Sequence, residues 1–381
     1  MKIDFANLQK DYQLHKNDID NAIQNVLNKS NYIMGDDVSL LEKELEEFSG
    51  AKYAITCSSG TDALILAMMS IDIQPGDEII TTPFTFIATA ETIAFLKAKP
   101  VFVDIDEKTY NIDANKIEEK ITSKTKAIIP VSLFGQIADM DKINKIAQKY
   151  NLIVIEDAAQ SFGAEYKGKK SCNLSNLATT SFFPAKPLGC FGDGGAVFTN
   201  DEVLAQKIRS LRLHGQSKRY YHKFIGIGGR LDTIQAAILR VKLRYFDENI
   251  KLRNQVAEKY NKKFEGSITH PSKHKFATPP ERGLEPIILP FVEEFNVSTY
   301  AQYSIRVKNR AGLQVKLKEN GIPSAVHYPI PLHLQEAFEH LEYKKGDFPV
   351  AESISNEIIS LPMNPYLNDK EIEFICENVL K

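Results

Sequence analysis

One lysine stands alone in an apolar stretch rich in glycine and proline. It is Lys186, within Ser181-Phe182-Phe183-Pro184-Ala185-Lys186-Pro187-Leu188-Gly189 and just ahead of Gly192-Asp193-Gly194-Gly195. A lysine in such surroundings loses its proton easily and can act as an amine nucleophile. Upstream, Glu156 and Asp157 follow the apolar run Leu152-Ile153-Val154-Ile155 directly, and small residues come next. An acid at that place can hold a cationic nitrogen at the ligand edge of a sheet. Further upstream lies Cys57-Ser58-Ser59-Gly60-Thr61-Asp62, between a strand-like run and a helix-like one. Small residues at a helix start leave free N–H groups and a positive dipole end, where a phosphate would sit.

Each feature alone also has a plain structural reading. Lys186 could be a surface lysine packing its stem on Phe183. Asp157 and the Ser/Thr pair could simply cap helices. The ordered set says more than its parts. An anion cradle, an acid after a central strand and an isolated lysine are what pyridoxal phosphate (PLP) requires: a phosphate site, a carboxylate to keep its ring nitrogen protonated, and an amine for a Schiff base.

The elements that would position these residues are readable. Apolar, strand-like runs occur at Tyr53–Thr56, Glu78–Thr81, Pro100–Asp104, Ala127–Val131 and Leu152–Glu156, with helix-like stretches at 61–71, 87–97, 114–121 and 139–150. Fully apolar strands separated by helices predict an α/β fold with a parallel sheet covered on both faces, and binding loops at the carboxyl ends of its strands. Residues 231–262 read as one long helix or two abutting ones. The segment His270–Pro290 holds five prolines and reads as irregular surface chain. A strand at Tyr303–Val307 and helices near 310–320 and 370–380 complete a smaller C-terminal α+β unit. The expected organisation is an N-terminal helical segment over 1–35, a large α/β domain over 36–245 and a small α+β domain over 246–381.

Composition narrows the class. The chain has 381 residues, 47 Lys plus Arg against 49 Asp plus Glu, and no basic cluster, which argues against binding led by nucleic-acid phosphates. Cys57, Cys172, Cys190 and Cys376 form no Cys-x-x-Cys pair, so neither a metal site nor a disulfide framework is expected. The first residues carry an early acid and no apolar core, unlike a secretory leader. No run approaches the roughly 18 apolar residues of a membrane helix. A cytoplasmic protein with free thiols is expected.

These motifs resemble the DegT/DnrJ-type nucleotide-sugar aminotransferases, within the type I (aspartate aminotransferase) group of PLP-dependent transferases. The likeness runs from Ile3-Asp4-Phe5-Ala6-Asn7-Leu8 to Ser360-Leu361-Pro362-Met363. Ser181–Cys190 and Ala325-Val326-His327-Tyr328-Pro329-Ile330-Pro331-Leu332 are most similar to aminotransferases of UDP-linked 3-keto-N-acetylglucosamine-type sugars, the 3-keto-glucuronate enzymes among them.

The resemblance implies a mostly parallel central sheet flanked by helices, plus the smaller α+β domain. It implies that Lys186 forms the Schiff base and shuttles a proton, that Asp157 pairs with the ring nitrogen, and that Gln160 lies near the ring's phenolic oxygen. Gly60, Thr61 and Ser181 would hold the phosphate, and Phe86 would stack on the ring. Arg230, His327 and Tyr328 would contact the sugar, the last two from across a homodimer interface. Glutamate would be the amino donor in a ping-pong reaction, and the product would feed lipopolysaccharide or other cell-surface polysaccharide. Related sugar dehydratases carry His in place of this lysine, so Lys186 favours transamination. Two rival readings stand beside it: amination at C4 of a 4-keto-6-deoxy sugar, and a PLP-binding regulatory protein without turnover. One position departs from the family pattern. Gly228 stands where an asparagine reaching the neighbouring subunit's phosphate is usual. His214 receives no role.

Overall fold

The computed structural model describes residues 3–264 and 287–380. The proline-rich segment lies outside the described residues over 270–286.

A seven-stranded sheet forms the centre. Its strands are β1 (Tyr53–Cys57), β2 (Glu78–Thr81), β3 (Lys99–Phe102), β4 (Thr125–Ile128), β5 (Ile153–Asp157), β8 (Leu177–Ser181) and β9 (Gly195–Thr199); β6 (Glu165–Tyr166) and β7 (Lys169–Lys170) form a small hairpin beside it. The spatial order is β1-β9-β8-β5-β4-β2-β3. The run from β8 through β5, β4 and β2 to β3 is parallel, whereas β9 is antiparallel to both β8 and β1. The sheet is therefore mostly parallel, as expected, with one reversed strand. That strand and β8 have no counterpart in the sequence reading.

Alternation along the strands divides the core between the two faces, since successive side chains point opposite ways. Ile79, Ala127, Ile155, Leu177 and Val197 pack with helices α4 (Gly60–Ser70) and α7 (Glu202–Leu211). Their chain neighbours face the other way. Ile80, Ile128 and Val154 pack on α6 (Met140–Tyr150), and Ala54, Ala178 and Phe198 pack with α3 (Asp36–Ser49) and α8 (Thr233–Leu243). Asp139 and Asp201 start α6 and α7 by accepting first-turn amides.

The N-terminal stretch forms α1 (Leu8–Leu14) and α2 (Lys16–Lys29), and α5 spans Ala88–Phe95. Residues 231–262 resolve into two helices, α8 and α9 (Phe246–Phe264). The helix expected over 114–121 is instead two 3₁₀ turns, Ala114–Lys116 and Glu118–Lys120. Ile117 between them is wholly buried in the core, and Asp113 caps only the first turn.

Two short strand pairings follow: the hairpin β10 (Gln216–Lys218) with β11 (Tyr221–His222), and β12 (Asn296–Val297) against β6. The C-terminal part is built on the antiparallel pair β13 (Tyr303–Arg306) and β14 (Ile358–Leu361). Tyr303, Ile305, Ile359 and Leu361 pack against α9, α10 (Arg310–Glu319) and α12 (Asp369–Leu380); α11 (Pro349–Glu357) precedes β14. The alternate residues of the pair, Ser304 and Ser360, face away from that cluster.

Candidate active site

Three chain turns at the carboxyl end of the sheet meet around one cavity of about 520 Å³. The first turn joins β1 to α4. Ser59 sits in extended backbone and its Oγ accepts the Asp62 amide at 3.0 Å, which starts the helix at Gly60. The Ser58 hydroxyl donates to the Asp62 carboxylate. Among the described residues the amides of Gly60 and Thr61 take no protein acceptor. Ser181, at the end of β8, closes the cradle: a Cβ built on Gly60 would lie 2.7 Å from the Ser181 Cβ. Only glycine admits that approach.

The second turn carries Asp157. Its backbone is bonded on both sides, its amide donating to Pro130 O at 2.9 Å and its carbonyl accepting from Ser132 at 3.0 Å, while the next amide, of Ala158, donates to Thr179 O at 2.8 Å. The carboxylate is buried. Oδ2 accepts from the Thr89 hydroxyl at 2.8 Å and Oδ1 from the Ala159 amide at 3.2 Å. Among the described residues it has no ion-pair partner. Burial pushes its pKa above the usual aspartate value, against the Thr89 and Ala159 donors and the distant charge of Lys186.

The third turn, between β8 and β9, carries Lys186. Its amide donates to Phe183 O at 2.8 Å, and Lys242 Nζ donates to Gly189 O at 2.5 Å, bracing the loop from α8. The Lys186 amine has no hydrogen-bond or ion-pair partner among the described residues. Burial lowers its pKa below the ordinary lysine value, and Asp157 only partly opposes that.

The walls come from further along the chain. Gln160 Oε1 accepts the Phe134 amide at 2.8 Å, and its Nε2 donates to the Tyr328 hydroxyl at 3.1 Å. Phe86, 54% exposed, lies at the rim with its ring 6.3 Å from that of Tyr328. His327 lines the same cavity, and its Nδ1 meets Ser360 Oγ at 2.9 Å. Burial and the Lys186 charge lower its pKa to about 4, so the imidazole is neutral near pH 7.

Nine of the ten residues singled out in the sequence thus line one cavity: Gly60, Thr61, Phe86, Asp157, Gln160, Ser181, Lys186, His327 and Tyr328. His327 and Tyr328 do so within the chain that carries them, where the resemblance implied a reach into a second subunit. The tenth, Arg230, is partly buried and absent from the lining. Its loop does touch the cradle, since the Ser58 amide donates to Gly229 O at 3.1 Å. At Gly228, which is exposed, a Cβ would meet the His214 ring at 3.0 Å, so a side chain there would have to displace that ring slightly. Sequence reasoning missed Thr89, Thr85, Gln302 and Asp193, which also line the cavity. A threonine inside an apolar helix gives no periodicity signal of its own.

The comparisons with known proteins decide the family. The DegT/DnrJ/EryC1/StrS aminotransferase family model matches residues 13–380. The chain belongs to this family.

Among its relatives is a Pseudomonas aeruginosa protein named UDP-2-acetamido-2-deoxy-3-oxo-D-glucuronate aminotransferase, 51% identical over 98% of each chain. Another is a "pleiotropic regulatory protein" of Geobacillus stearothermophilus, 43% identical over 100% of this chain and 98% of the other. Among solved structures, NtdA from Bacillus subtilis with bound cofactor PMP superposes with a TM-score of 0.88 at 29% identity, over 99% of this chain and 84% of the other.

The residues of this aminotransferase-family chain fit that type of cofactor. A buried carboxylate without an ion-pair partner suits a cationic ring nitrogen, and two unpaired helix-start amides beside a serine suit a phosphate. The Lys186 amine, its pKa lowered by burial, lines the space between them.

Proposed function

We propose that the chain is a PLP-dependent nucleotide-sugar aminotransferase. It moves an amino group from glutamate to the 3-keto carbon of a UDP-linked N-acetylhexosamine or its uronate. The observation that carries the reading is one cavity lined by a Lys186 amine and a buried Asp157 carboxylate, neither with an ion-pair partner among the described residues. The choice of sugar rests on the Pseudomonas aeruginosa relative.

When bound, PLP supplies a ring that can take up the electrons of a carbon acid. The chain's own residues do the rest. The Gly60 and Thr61 amides and the Ser181 hydroxyl would hold the phosphate at the positive end of α4. Asp157 is held by backbone on both sides and by Thr89, so it presents a fixed negative charge to the ring nitrogen. Gln160, oriented by the Phe134 amide and bonded to the Tyr328 hydroxyl, would stand near the ring's phenolic oxygen. Phe86 at the rim would cover a ring face. Burial lowers the pKa of Lys186, which favours the uncharged amine that a nucleophile and a proton carrier must present. One lysine serving donor and acceptor halves in turn gives ping-pong kinetics. His327 and Tyr328 meet the sugar. We place Arg230 at the subunit boundary of a homodimer, where the exposed Phe86 and Phe183 at the cavity rim would be covered. Among the described residues no helix is long and apolar enough to cross a membrane. The reading places the enzyme in the cytoplasm, supplying amino sugars to cell-surface polysaccharide.

The test is the purified protein loaded with PLP. Borohydride should fix the cofactor to the peptide carrying Lys186, and glutamate should bleach the bound cofactor's visible absorbance and yield 2-oxoglutarate. UDP-3-amino-N-acetylhexosamines should also bleach it and leave the corresponding 3-keto sugar nucleotide. Reaction with 4-amino-6-deoxy sugar nucleotides alone would move the chemistry to C4. No bleaching with any donor would leave a cofactor-binding protein without turnover.

A further inference from the structure

The imidazole of His327 is attached to a short chain of hydroxyls that ends inside the protein. His327 Nδ1 meets Ser360 Oγ at 2.9 Å, and Ser360 Oγ meets Ser304 Oγ at 2.8 Å. The serines are register partners on β13 and β14, which puts both hydroxyls on one face of the pair. Both are buried, with exposures of 0% at Ser360 and 1% at Ser304. Ser360 is held on its other edge too, since its backbone exchanges hydrogen bonds with Ala325, two residues before His327. Among the described residues Ser304 Oγ makes no other hydrogen bond; the unpaired Oε1 of Gln302 lines the same crevice of about 20 Å³.

Counting protons over the hydrogen bonds these groups make favours one arrangement. A hydroxyl carries one proton and must donate it somewhere, and a buried donor left unpaired is costly. Suppose Nδ1 carried the proton. It would donate to Ser360, Ser360 would donate to Ser304, and the Ser304 proton would have no acceptor. With Nδ1 bare, Ser304 donates to Ser360 and Ser360 donates to Nδ1. Every proton in the chain is then used. The imidazole's own proton must sit on Nε2, the nitrogen at the far side of the ring from the serines. An imidazolium would bring back the unpaired Ser304 proton, so the relay opposes protonation as burial and the nearby Lys186 do.

We propose that Ser360, backed by Ser304, fixes the tautomer of His327 so that its Nε2–H serves the cavity as a constant hydrogen-bond donor to an oxygen of the bound sugar. The identity of that acceptor rests on the function proposed above; the tautomer does not. Ser360 and Ser304 are positioning residues. A permanent donor suits a keto or hydroxyl oxygen, which can accept, and it rejects an ammonium at the same place. The lysine amine and the histidine then divide the work: one carries protons and changes state, the other does not.

The experiment uses the PLP-loaded enzyme labelled with ¹⁵N in its histidine rings. Long-range ¹H–¹⁵N correlation separates the two tautomers, and the His327→Gln variant identifies the His327 signals. The expected result is a single Nε2–H form from pH 6 to 8. In Ser360→Ala the Nδ1–H form should appear beside it, and KM for a UDP-amino sugar should rise about three- to tenfold with little change in kcat. Ser304→Ala, which leaves the Ser360 donor in place, should keep the Nε2–H form. An Nδ1–H signal in the unmodified enzyme would overturn the proposal, because it would require a further acceptor in the small crevice beside Ser304. The wild-type spectrum decides this even if Ser360→Ala does not fold. An unchanged KM in a folded Ser360→Ala whose tautomer has become mixed would refute the donor role. An Nε2–H enzyme that accepts no UDP-sugar would leave the relay standing and remove the substrate reading.

Discussion

Thr89 donates its hydroxyl to Asp157 Oδ2 at 2.8 Å, joining helix α5 to the end of the central strand β5. The bond uses one face of the carboxylate and leaves the rest to the cavity. It also lowers the aspartate's pKa against the effect of burial. Replacing Thr89 by valine keeps the shape and removes the donor. The carboxylate then protonates more readily and holds a cationic ring nitrogen less firmly. A bond to a charged group contributes about 1.5–3 kcal/mol, so PLP affinity should fall by more than tenfold. Fluorescence titration of the apo protein with the cofactor measures it. Equal affinities in Thr89→Val and wild type would mean that Asp157 is oriented by its backbone alone.

Lys186 predicts a pH effect on the apo protein. Its native pKa is lowered by burial, while the unfolded chain keeps a value of about 10.4. Between the two the unfolded chain binds the additional proton, so stability rises with pH through that interval. Urea midpoints of apo wild type should therefore gain on those of Lys186→Met as pH climbs from 8 to 10. Parallel midpoints would mean that the amine is solvated in the apo protein.

β2 falls on the predicted residues, and β1 and β5 within one residue, because each is a short apolar run buried on both faces. β8 and β9 escape notice. Thr179-Thr180-Ser181 is polar, and Gly194-Gly195 masks the start of an apolar strand. Their pairing, which brings Ser181 opposite Gly195, comes from register and not from composition. The site shows the same division. Lys186 and Asp157 stand out because their types are rare in apolar surroundings. Thr89 and Ser360 act only through where the fold delivers their hydroxyls, and one serine in a strand looks like another.

Glu156 and His327 should act on stability in opposite directions over nearly the same pH range. Glu156 is wholly buried, and burial pushes its pKa up to about 7, despite donors from the Cys172 amide and Ser132. The native state keeps that proton where the unfolded chain, at 4.5, has lost it. Stability from this group therefore falls as pH rises from 4.5 to 7. His327 titrates at about 4 in the native state and at 6.5 unfolded, so its contribution falls as pH drops from 6.5 to 4. Each effect amounts to about 3 kcal/mol when complete, and between pH 4.5 and 6.5 they largely offset. Glu156→Gln should gain on wild type as pH rises through that window, and His327→Gln should gain as it falls. Urea midpoints for the three proteins across pH 4–8 measure both slopes. Slopes of the same sign would show that one of the two groups is not buried in the charge state described.

Gly60→Ala tests the phosphate cradle by shape alone. The added methyl would lie 2.7 Å from the Ser181 Cβ and 3.1 Å from its Oγ. The Cβ contact is too close to stand and the Oγ contact is tight, while Ser181 is fixed at the end of β8 between β9 and the Lys186 loop. The helix start must shift instead, moving the Gly60 and Thr61 amides off the phosphate position. α4 itself should survive, since Ser59 still caps it and alanine favours helix over glycine by about 1 kcal/mol. The expected result is a folded protein with nearly wild-type helical content whose affinity for PLP falls at least tenfold. Free pyridoxal, which lacks the phosphate, should bind both proteins alike. Equal loss for pyridoxal would place the damage at the ring, not at the phosphate end.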